Sequence, residues 1–238
     1  MGMLCIILAG GLGTRISEET LHRPKPLVAI GGKPIIWHIM MIYSSQGFNE
    51  FLIAGGYKVE MLEPEIKRNL ERGSKINFEV LDTGLNTSTG GRLKRCIEYS
   101  GDHRFFATYG DGVGNIDLSN LITLHEKENS VVTLTAVRPP ARFGRIVLEG
   151  TKVVRFGEKN QADEGWINGG FFVLEKEVSK LISSDNMPFE HFPLSHLAET
   201  GQLSAYQHAG FWQPMDTLRE KEDLEGLWAS GKAPWKQW

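Results

Sequence analysis

The chain has 238 residues, a formal net charge of −3 and 41% hydrophobic residues. That balance offers no general electrostatic attraction for nucleic acid or for an anionic membrane, so we expect neither as a partner. With two cysteines, no secretory leader pattern and no apolar run of membrane-spanning length, we expect a reduced, cytoplasmic protein.

Apolar runs and helical periodicities alternate through the first part of the chain. This alternation predicts an α/β fold with a mostly parallel sheet that is covered on both faces. The rhythm changes in the second half, where a hairpin around Gly150 and further strands elaborate the same sheet. No linker or repeat interrupts residues 1–238, so we expect a single domain. The predicted strands are 3–8, 51–54, 76–81, 105–109, 131–137, 145–148, 153–156, 167–174 and 203–207, and the predicted helices are 34–47, 59–70, 90–99, 118–128, one within 187–201, and 218–230.

The loop after the first strand has the composition of a phosphate-binding site. Its sequence is Leu8-Ala9-Gly10-Gly11-Leu12-Gly13-Thr14-Arg15, and Pro24-Lys25-Pro26 follows it along the chain. Glycines let backbone N–H groups approach an anion closely, while the arginine supplies five donors and the lysine supplies a mobile charge. These groups together suit a bound nucleoside triphosphate.

Two common phosphate-binding patterns do not match this loop. No Gly-Lys-Ser/Thr tripeptide follows it, and Ile16 stands where the dinucleotide fingerprint needs a glycine. The alternative interpretation is a glycine-rich connection from strand to helix that carries an arginine on the surface.

Two aspartates are candidate ligands of a metal ion. Asp111 lies between two glycines after the predicted strand 105–109, and Asp216 precedes the last predicted helix. Ligands bind at the carboxyl ends of parallel strands, and Mg2+ takes carboxylate oxygens together with substrate phosphates. Two alternatives stay open, because Asp111 can be a turn former and Asp216 can be the N-cap of the final helix.

Five further runs extend the pattern beyond the loop: 89–95 (TGGRLKR), 108–112 (TYGDG), 166–172 (WINGGFF), 210–217 (GFWQPMDT) and 231–236 (GKAPWK). Together with the loop, these runs resemble the sugar-1-phosphate nucleotidylyltransferase family, and within it the glucose-1-phosphate cytidylyltransferases. The resemblance implies a Rossmann-like three-layer α/β sandwich, with a mostly parallel mixed sheet and β-hairpin elaborations in the second half. It also implies cytidylyl transfer from CTP to a hexose 1-phosphate, with glucose 1-phosphate first, giving a CDP-sugar and pyrophosphate for bacterial-type surface polysaccharides.

The resemblance implies a role for each candidate residue. Arg15 and Lys25 are expected to be catalytic by binding phosphates, and Asp111 and Asp216 are expected to hold Mg2+. The family also implies a homo-oligomer. The expected sugar-phosphate residues are Glu158, Lys159, Asn168 and Gly169, and the expected nucleotide residues are Leu8, Ala9, Gly10, Gly11, Gly13, Thr14, Arg15, Lys25, Thr89, Gly90, Gly91, Gly110 and Asp111.

The chain departs from the family pattern in two places. Between Tyr57 and Asp82 it is about twenty residues shorter than the resemblance implies, in the kind of region that often shapes pockets and subunit contacts. Asn160 follows Lys159 where a proline is expected. Both departures bear more on the predicted sugar substrate and oligomeric state than on the predicted reaction.

Two alternative functions stay open. The chain can act on a different sugar 1-phosphate, or it can be a noncatalytic protein that binds a sugar nucleotide and regulates a partner. The joint presence of Arg15, Lys25, Asp111 and Asp216 favours an enzyme, since binding alone does not need both carboxylates.

The C-terminal tail carries two tryptophans, Trp235 and Trp238, outside any predicted helix. Exposed tryptophans are unfavourable in water, so these two either fold back onto the domain or contact another subunit.

Overall fold

The fold is given by a computed structural model, which describes residues 2–139, 145–157 and 165–238. Within these ranges no helix has both the length and the apolar character that crossing a membrane requires. The helices are α1 (Ser17–Thr20), α2 (Ile35–Ser44), α3 (Leu62–Asn69), α4 (Thr89–Ser100), α5 (Leu118–Glu128), α6 (Phe192–Glu199) and α7 (Leu218–Ala229). The strands are β1 (Cys5–Leu8), β2 (Ala29–Ile30), β3 (Lys33–Pro34), β4 (Glu50–Gly55), β5 (Asn77–Asp82), β6 (Arg104–Tyr109), β7 (Gly112–Gly114), β8 (Val132–Val137), β9 (Arg145–Glu149), β10 (Lys152–Gly157), β11 (Ile167–Glu175), β12 (Leu203–His208) and β13 (Trp212–Pro214).

Seven strands form one mixed sheet in the order β12-β8-β11-β6-β1-β4-β5. Strand β1 pairs in parallel with β4 and β6, β4 pairs in parallel with β5, and β12 pairs in parallel with β8. Strand β11 runs antiparallel to both of its neighbours, β6 and β8. The predicted mostly parallel, mixed sheet is therefore confirmed.

Side-chain alternation along β1 divides the core into two halves. Cys5 and Ile7 belong to one apolar cluster, whereas Ile6 and Leu8 belong to another. Helices α2, α3, α5 and α7 contribute to the first cluster, and α4 and α6 contribute to the second. Because successive residues of a strand point to opposite faces, helices cover both sides of the sheet. This arrangement confirms the three-layer sandwich.

The predicted elements agree with the structure in type, and the differences concern short pieces. The helix predicted at 59–70 begins as a 3-10 turn, so α3 itself starts at Leu62. Strands β7 and β13 pair as a short antiparallel ribbon, here called the β7–β13 ribbon, which the sequence does not predict. Three residues are too few to show a periodic pattern. The hairpin around Gly150 is present as β9 and β10.

The C-terminal tail folds back onto the domain. Trp235 is fully buried, and its indole N–H donates to Nδ1 of His38 at 3.3 Å. Trp238 packs edge-on against Trp37, with ring centroids 5.7 Å apart. Of the two expectations for these tryptophans, packing within the same chain is the one observed.

His38 is held as a neutral imidazole. The indole N–H of Trp235 can only donate, so Nδ1 of His38 accepts and the ring proton lies on Nε2, which donates to the carbonyl of Ile30 at 2.9 Å. Burial, the largest influence, lowers the pKa of His38 to about 4. A histidine in the unfolded chain has a pKa near 6.5, about 2.5 units higher.

We predict that the chain loses stability as pH falls from about 6.5 towards about 4, by up to about 1.4 kcal/mol per pH unit from His38, because only the unfolded chain accepts the proton. Urea unfolding at about pH 7 and about pH 5 measures this loss. The loss should be smaller in His38→Gln than in wild type, whereas the exposed control His22→Gln should match wild type. An undiminished loss in His38→Gln contradicts the assignment.

Candidate active site

A cleft of about 440 Å³ opens at the carboxyl ends of β1 and β6. This edge is where ligands bind in parallel sheets. The predicted nucleotide residues that line the cleft are Leu8, Ala9, Gly10, Gly11, Gly13, Thr14, Arg15, Lys25, Thr89, Gly110 and Asp111. The lining residues that are not among the predicted nucleotide residues are Pro26, Thr87, Ser88, Arg92, Tyr109, Pro188 and Glu190.

The ammonium of Lys25 bridges the two predicted metal ligands. Its Nζ lies 2.7 Å from Oδ2 of Asp111 and 2.5 Å from Oδ1 of Asp216. The Lys25 side chain is only 9% exposed. Burial opposes its charge most strongly, but the two carboxylates together outweigh burial and raise the pKa of Lys25 above its ordinary value. Lys25 is therefore a fixed positive charge at neutral pH.

The β7–β13 ribbon brings Asp216 next to Asp111. Gly112 pairs with Pro214 in the ribbon, and the N–H of Met215 donates to the carbonyl of Asp111 at 2.8 Å. Asp111 directly precedes β7, and Asp216 follows β13 after one residue. Antiparallel pairing therefore sets the two carboxylates side by side, although they are far apart in the sequence.

The side chain of Asp216 does not cap the last helix. Thr217 is the N-cap of α7, because its hydroxyl accepts the N–H of Glu220 and the Glu220 carboxylate accepts the N–H of Thr217. The alternative interpretation of Asp216 as the N-cap is therefore wrong. Asp216 instead accepts from Arg15, whose Nη1 lies 2.5 Å from its Oδ2.

A buried arginine supports the glycine loop from inside the protein. Arg92 is 4% exposed, and within the described chain its guanidinium donates five hydrogen bonds of 2.7 to 3.1 Å. Burial lowers the pKa of Arg92 from its ordinary value. All five acceptors are neutral, so the charge adds positive potential to the cleft that it lines. The acceptors are the carbonyls of Gly10, Gly55, Gly84 and Leu85 and the hydroxyl of Thr83.

Arg92 also explains why two positions are glycine. A Cβ on Gly10 would lie 2.1 Å from Nη1 of Arg92, and a Cβ on Gly56 would lie 2.3 Å from the same atom. A Cβ on Gly11, by contrast, would meet nothing within 4 Å. Gly10 is thus required by the guanidinium beneath it, which is a different reason from the close ligand approach that the sequence suggests. Gly13 needs to be glycine for its backbone, since its φ is +66°.

Gly90 and Gly91 lie in the first turn of α4 and do not line the cleft. The N–H of Gly90 donates to the carbonyl of Met187 at 3.1 Å. A Cβ on Gly90 would lie 2.5 Å from the Met187 carbonyl oxygen, and one on Gly91 would lie 2.4 Å from that of Asp185. Both glycines therefore let α4 pack closely against the segment before α6, and their contact with a nucleotide stays a prediction.

The structure describes only two of the four residues that we predict to bind the sugar phosphate. Glu158 and Lys159 lie outside the described residues. The carbonyl of Gly169 accepts an indole N–H from β13 at 2.7 Å. Asn168 is partly buried, and its amide nitrogen lies 3.2 Å from the hydroxyl of Tyr109, which lines the cleft. Sugar binding by these residues stays a prediction.

Known proteins share this architecture. Residues 4–213 match the sequence profile described as nucleotidyl transferase. The crystal structure of HddC from Yersinia pseudotuberculosis complexed with GMP-PN superposes with a TM-score of 0.74 at 24% identity, over 95% of this chain and 99% of that one. The fold and the charged cleft therefore define a nucleotidyl transferase.

Relatives that align over their full length identify the kind of nucleotidyl transferase. Glucose-1-phosphate cytidylyltransferase from Salmonella typhi is 47% identical over 256 positions, covering 99% of this chain and 100% of the relative. Probable glucose-1-phosphate cytidylyltransferase from Bacillus subtilis is 41% identical over 257 positions, covering 99% and 100%. The chain therefore belongs to the nucleotidyl transferase family and, within it, to the glucose-1-phosphate cytidylyltransferases.

The alignment with the Salmonella relative also bears on the expected shortening. An alignment of 256 positions exceeds the 238 residues of this chain by 18, so the relative carries at least 18 residues that this chain lacks. That size agrees with the shortening expected between Tyr57 and Asp82, whose location stays a prediction.

We predict that Gly10→Ala destabilises the chain by about 2 kcal/mol or more, because its methyl group would force Arg92 out of several buried hydrogen bonds. Gly11→Ala is the matched control, since its methyl group meets open space, and it should change the free energy of unfolding by less than about 0.5 kcal/mol. Chemical denaturation of the two variants measures both values. Equal stability of the two variants contradicts the role given to Arg92.

Proposed function

We propose that this chain transfers a cytidylyl group from CTP to a hexose 1-phosphate, with glucose 1-phosphate preferred, giving a CDP-sugar and pyrophosphate. The observation that carries the proposal is the buried ammonium of Lys25 between Asp111 and Asp216, beside the glycine loop. The full-length relatives named for this activity support the choice of CTP and glucose 1-phosphate.

The chemistry follows from charge. A phosphate oxygen of the sugar attacks the α-phosphorus of CTP, and pyrophosphate leaves. Both reactants are anions, so the site must hold them in line and stabilise the charge that builds on the phosphorus oxygens. Lys25 is suited to neutralise the α-phosphate and the attacking phosphate, and the exposed Arg15 is suited to stabilise the leaving pyrophosphate. A general base is not needed, because a phosphate monoester is already largely ionised at neutral pH.

A divalent ion, which we propose to be Mg2+, fits the carboxylates of Asp111 and Asp216. Each places an oxygen within 2.7 Å of one cationic atom, Nζ of Lys25. Carboxylate oxygens are ligands that Mg2+ prefers, and substrate phosphates and waters commonly complete its shell. Among the described residues, no group of three or more His, Cys, Asp or Glu side chains could hold a metal ion. When bound, the ion would supply positive charge to the phosphates.

The proposal includes the setting of the enzyme. We take residues 1–238 as one nucleotidyltransferase domain that acts in the cytoplasm as a homo-oligomer and supplies a CDP-sugar for bacterial-type surface polysaccharides. The free, buried thiols of Cys5 and Cys96 suit a reducing compartment. Sedimentation in solution measures the oligomeric state.

We predict that the chain prefers CTP over UTP by more than about tenfold in kcat/KM, because a pocket that pairs cytosine leaves buried polar groups unpaired when uracil enters. Cytosine offers acceptors at O2 and N3 and a donor at N4, and uracil reverses the polarity at N3 and at position 4. Pyrophosphate release is measured with four nucleoside triphosphates against the 1-phosphates of glucose, mannose and galactose.

The screen separates the alternatives. Equal use of CTP and UTP removes the cytidylyl assignment and keeps the reaction type. A preference for mannose or galactose 1-phosphate changes the acceptor. If no combination of nucleoside triphosphate and sugar 1-phosphate releases pyrophosphate, tight binding of CDP-glucose in a separate binding measurement identifies a noncatalytic binding protein.

A further inference from the structure

A chain of hydrogen bonds links two sides of the cleft through Glu190. One carboxylate oxygen lies 2.6 Å from the hydroxyl of Thr89, and the other lies 2.6 Å from the hydroxyl of Tyr109. Tyr109 in turn lies 3.2 Å from Nδ2 of Asn168. Thr89, Tyr109 and Glu190 line the cleft, yet the transfer chemistry above gives Glu190 no role.

A backbone donor sets the direction of the proton on Tyr109. The N–H of Gly170 lies 2.9 Å from Oδ1 of Asn168, so the amide nitrogen of Asn168 is the atom that faces Tyr109. The phenol oxygen therefore accepts from Asn168, and its own proton goes to Glu190. Burial, and then the charge of Glu190, raise the pKa of Tyr109, which keeps the phenol protonated.

A second backbone donor sets the direction of the hydroxyl proton of Thr89. The N–H of Phe189 donates to the hydroxyl of Thr89 at 2.9 Å, so the Thr89 proton also goes to Glu190. Both oxygens of Glu190 are therefore acceptors. An ionised carboxylate can accept on both oxygens, whereas an amide offers one acceptor and one donor.

We propose that Glu190 is a positioning residue for the sugar side of the site: through the Tyr109 hydroxyl, and together with the N–H of Gly170, it holds the orientation in which Asn168 presents its remaining N–H to the substrate. The inference rests on the proposed function and on the predicted role of Asn168 as a sugar-phosphate residue. A donor held in one orientation can form its hydrogen bond with the correct sugar. A sugar that leaves this donor unpaired binds more weakly, because an unpaired buried donor costs free energy.

The substitution Glu190→Gln tests the direction of the protons with little change in shape. Its amide N–H2 must face either the Thr89 proton or the Tyr109 proton. If the introduced amide N–H2 faces Tyr109, the phenol must donate its proton to Asn168 instead. The Asn168 amide group must then flip, and its oxygen loses the hydrogen bond from the N–H of Gly170. Tyr109→Phe removes the same link and keeps the ring, which serves as a second variant should Glu190→Gln fold poorly. Glu199→Gln makes the same chemical change at an exposed carboxylate outside the residues lining the cleft, and it is the matched control.

We expect both variants to raise the KM for glucose 1-phosphate about tenfold while the KM for CTP changes less than about threefold, the scale of one misplaced polar contact. The double variant should be no worse than Tyr109→Phe alone, since both act through one chain of bonds. Glu199→Gln should keep both KM values of wild type. Thermal unfolding of each variant shows that it is folded at the assay temperature.

Three results overturn the inference. The first is an equal rise of both KM values, and the second is full additivity in the double variant. The third is a Tyr109→Phe enzyme with wild-type KM values beside an impaired Glu190→Gln enzyme. Failure of the proposed function is distinguishable from these, because the wild-type chain would then release no pyrophosphate with any hexose 1-phosphate, and the inference would fall with it.

Discussion

The ammonium of Lys25, held between the carboxylates of Asp111 and Asp216, is the interaction on which the site depends. It joins the turn after Pro24, the end of β6 and the end of β13 in one cluster of charges. A buried charge is costly without partners, and removal of one member would leave the others uncompensated. The fold therefore positions these charges before substrate arrives, which lowers the reorganisation needed during phosphoryl chemistry.

Arg92 holds another part of the cleft, the glycine loop, through hydrogen bonds to neutral oxygens. Its guanidinium ties the glycine loop after β1 to the last residue of β4 and to the loop after β5, with neutral oxygens as acceptors. The loop is thus held in shape by backbone carbonyls, and the positive charge of Arg92 is not cancelled by a carboxylate in that set of bonds. An anion in the cleft experiences both the loop amides and this charge.

The sequence predicts the parts of this site that depend on local pattern. Strand and helix periodicity predict the sheet and its helices, and Asp111 and Lys25 follow from glycines and prolines near them. The roles of Arg92, Thr217 and Glu190 depend on contacts in space. Arg92 bonds Gly10 across 82 positions, and Glu190 bonds Thr89 across 101 positions. Only the packed sheet brings such residues together, so no local pattern could have indicated them.

The ammonium of Lys25 lies between Asp111 and Asp216, where we propose that a divalent ion binds. Manganese(II) binding, measured by calorimetry without nucleotide, tests this proposal most directly, because Lys25→Met frees both carboxylates. Manganese should bind about tenfold more tightly to Lys25→Met than to wild type, the effect of removing a competing charge worth roughly 1.4 kcal/mol. The gain should vanish when Asp111→Asn is added, and Lys33→Met, which removes a lysine outside the residues lining the cleft, should leave binding unchanged. Equal or weaker manganese binding in Lys25→Met would show that Lys25 does not compete with a cation for the two carboxylates.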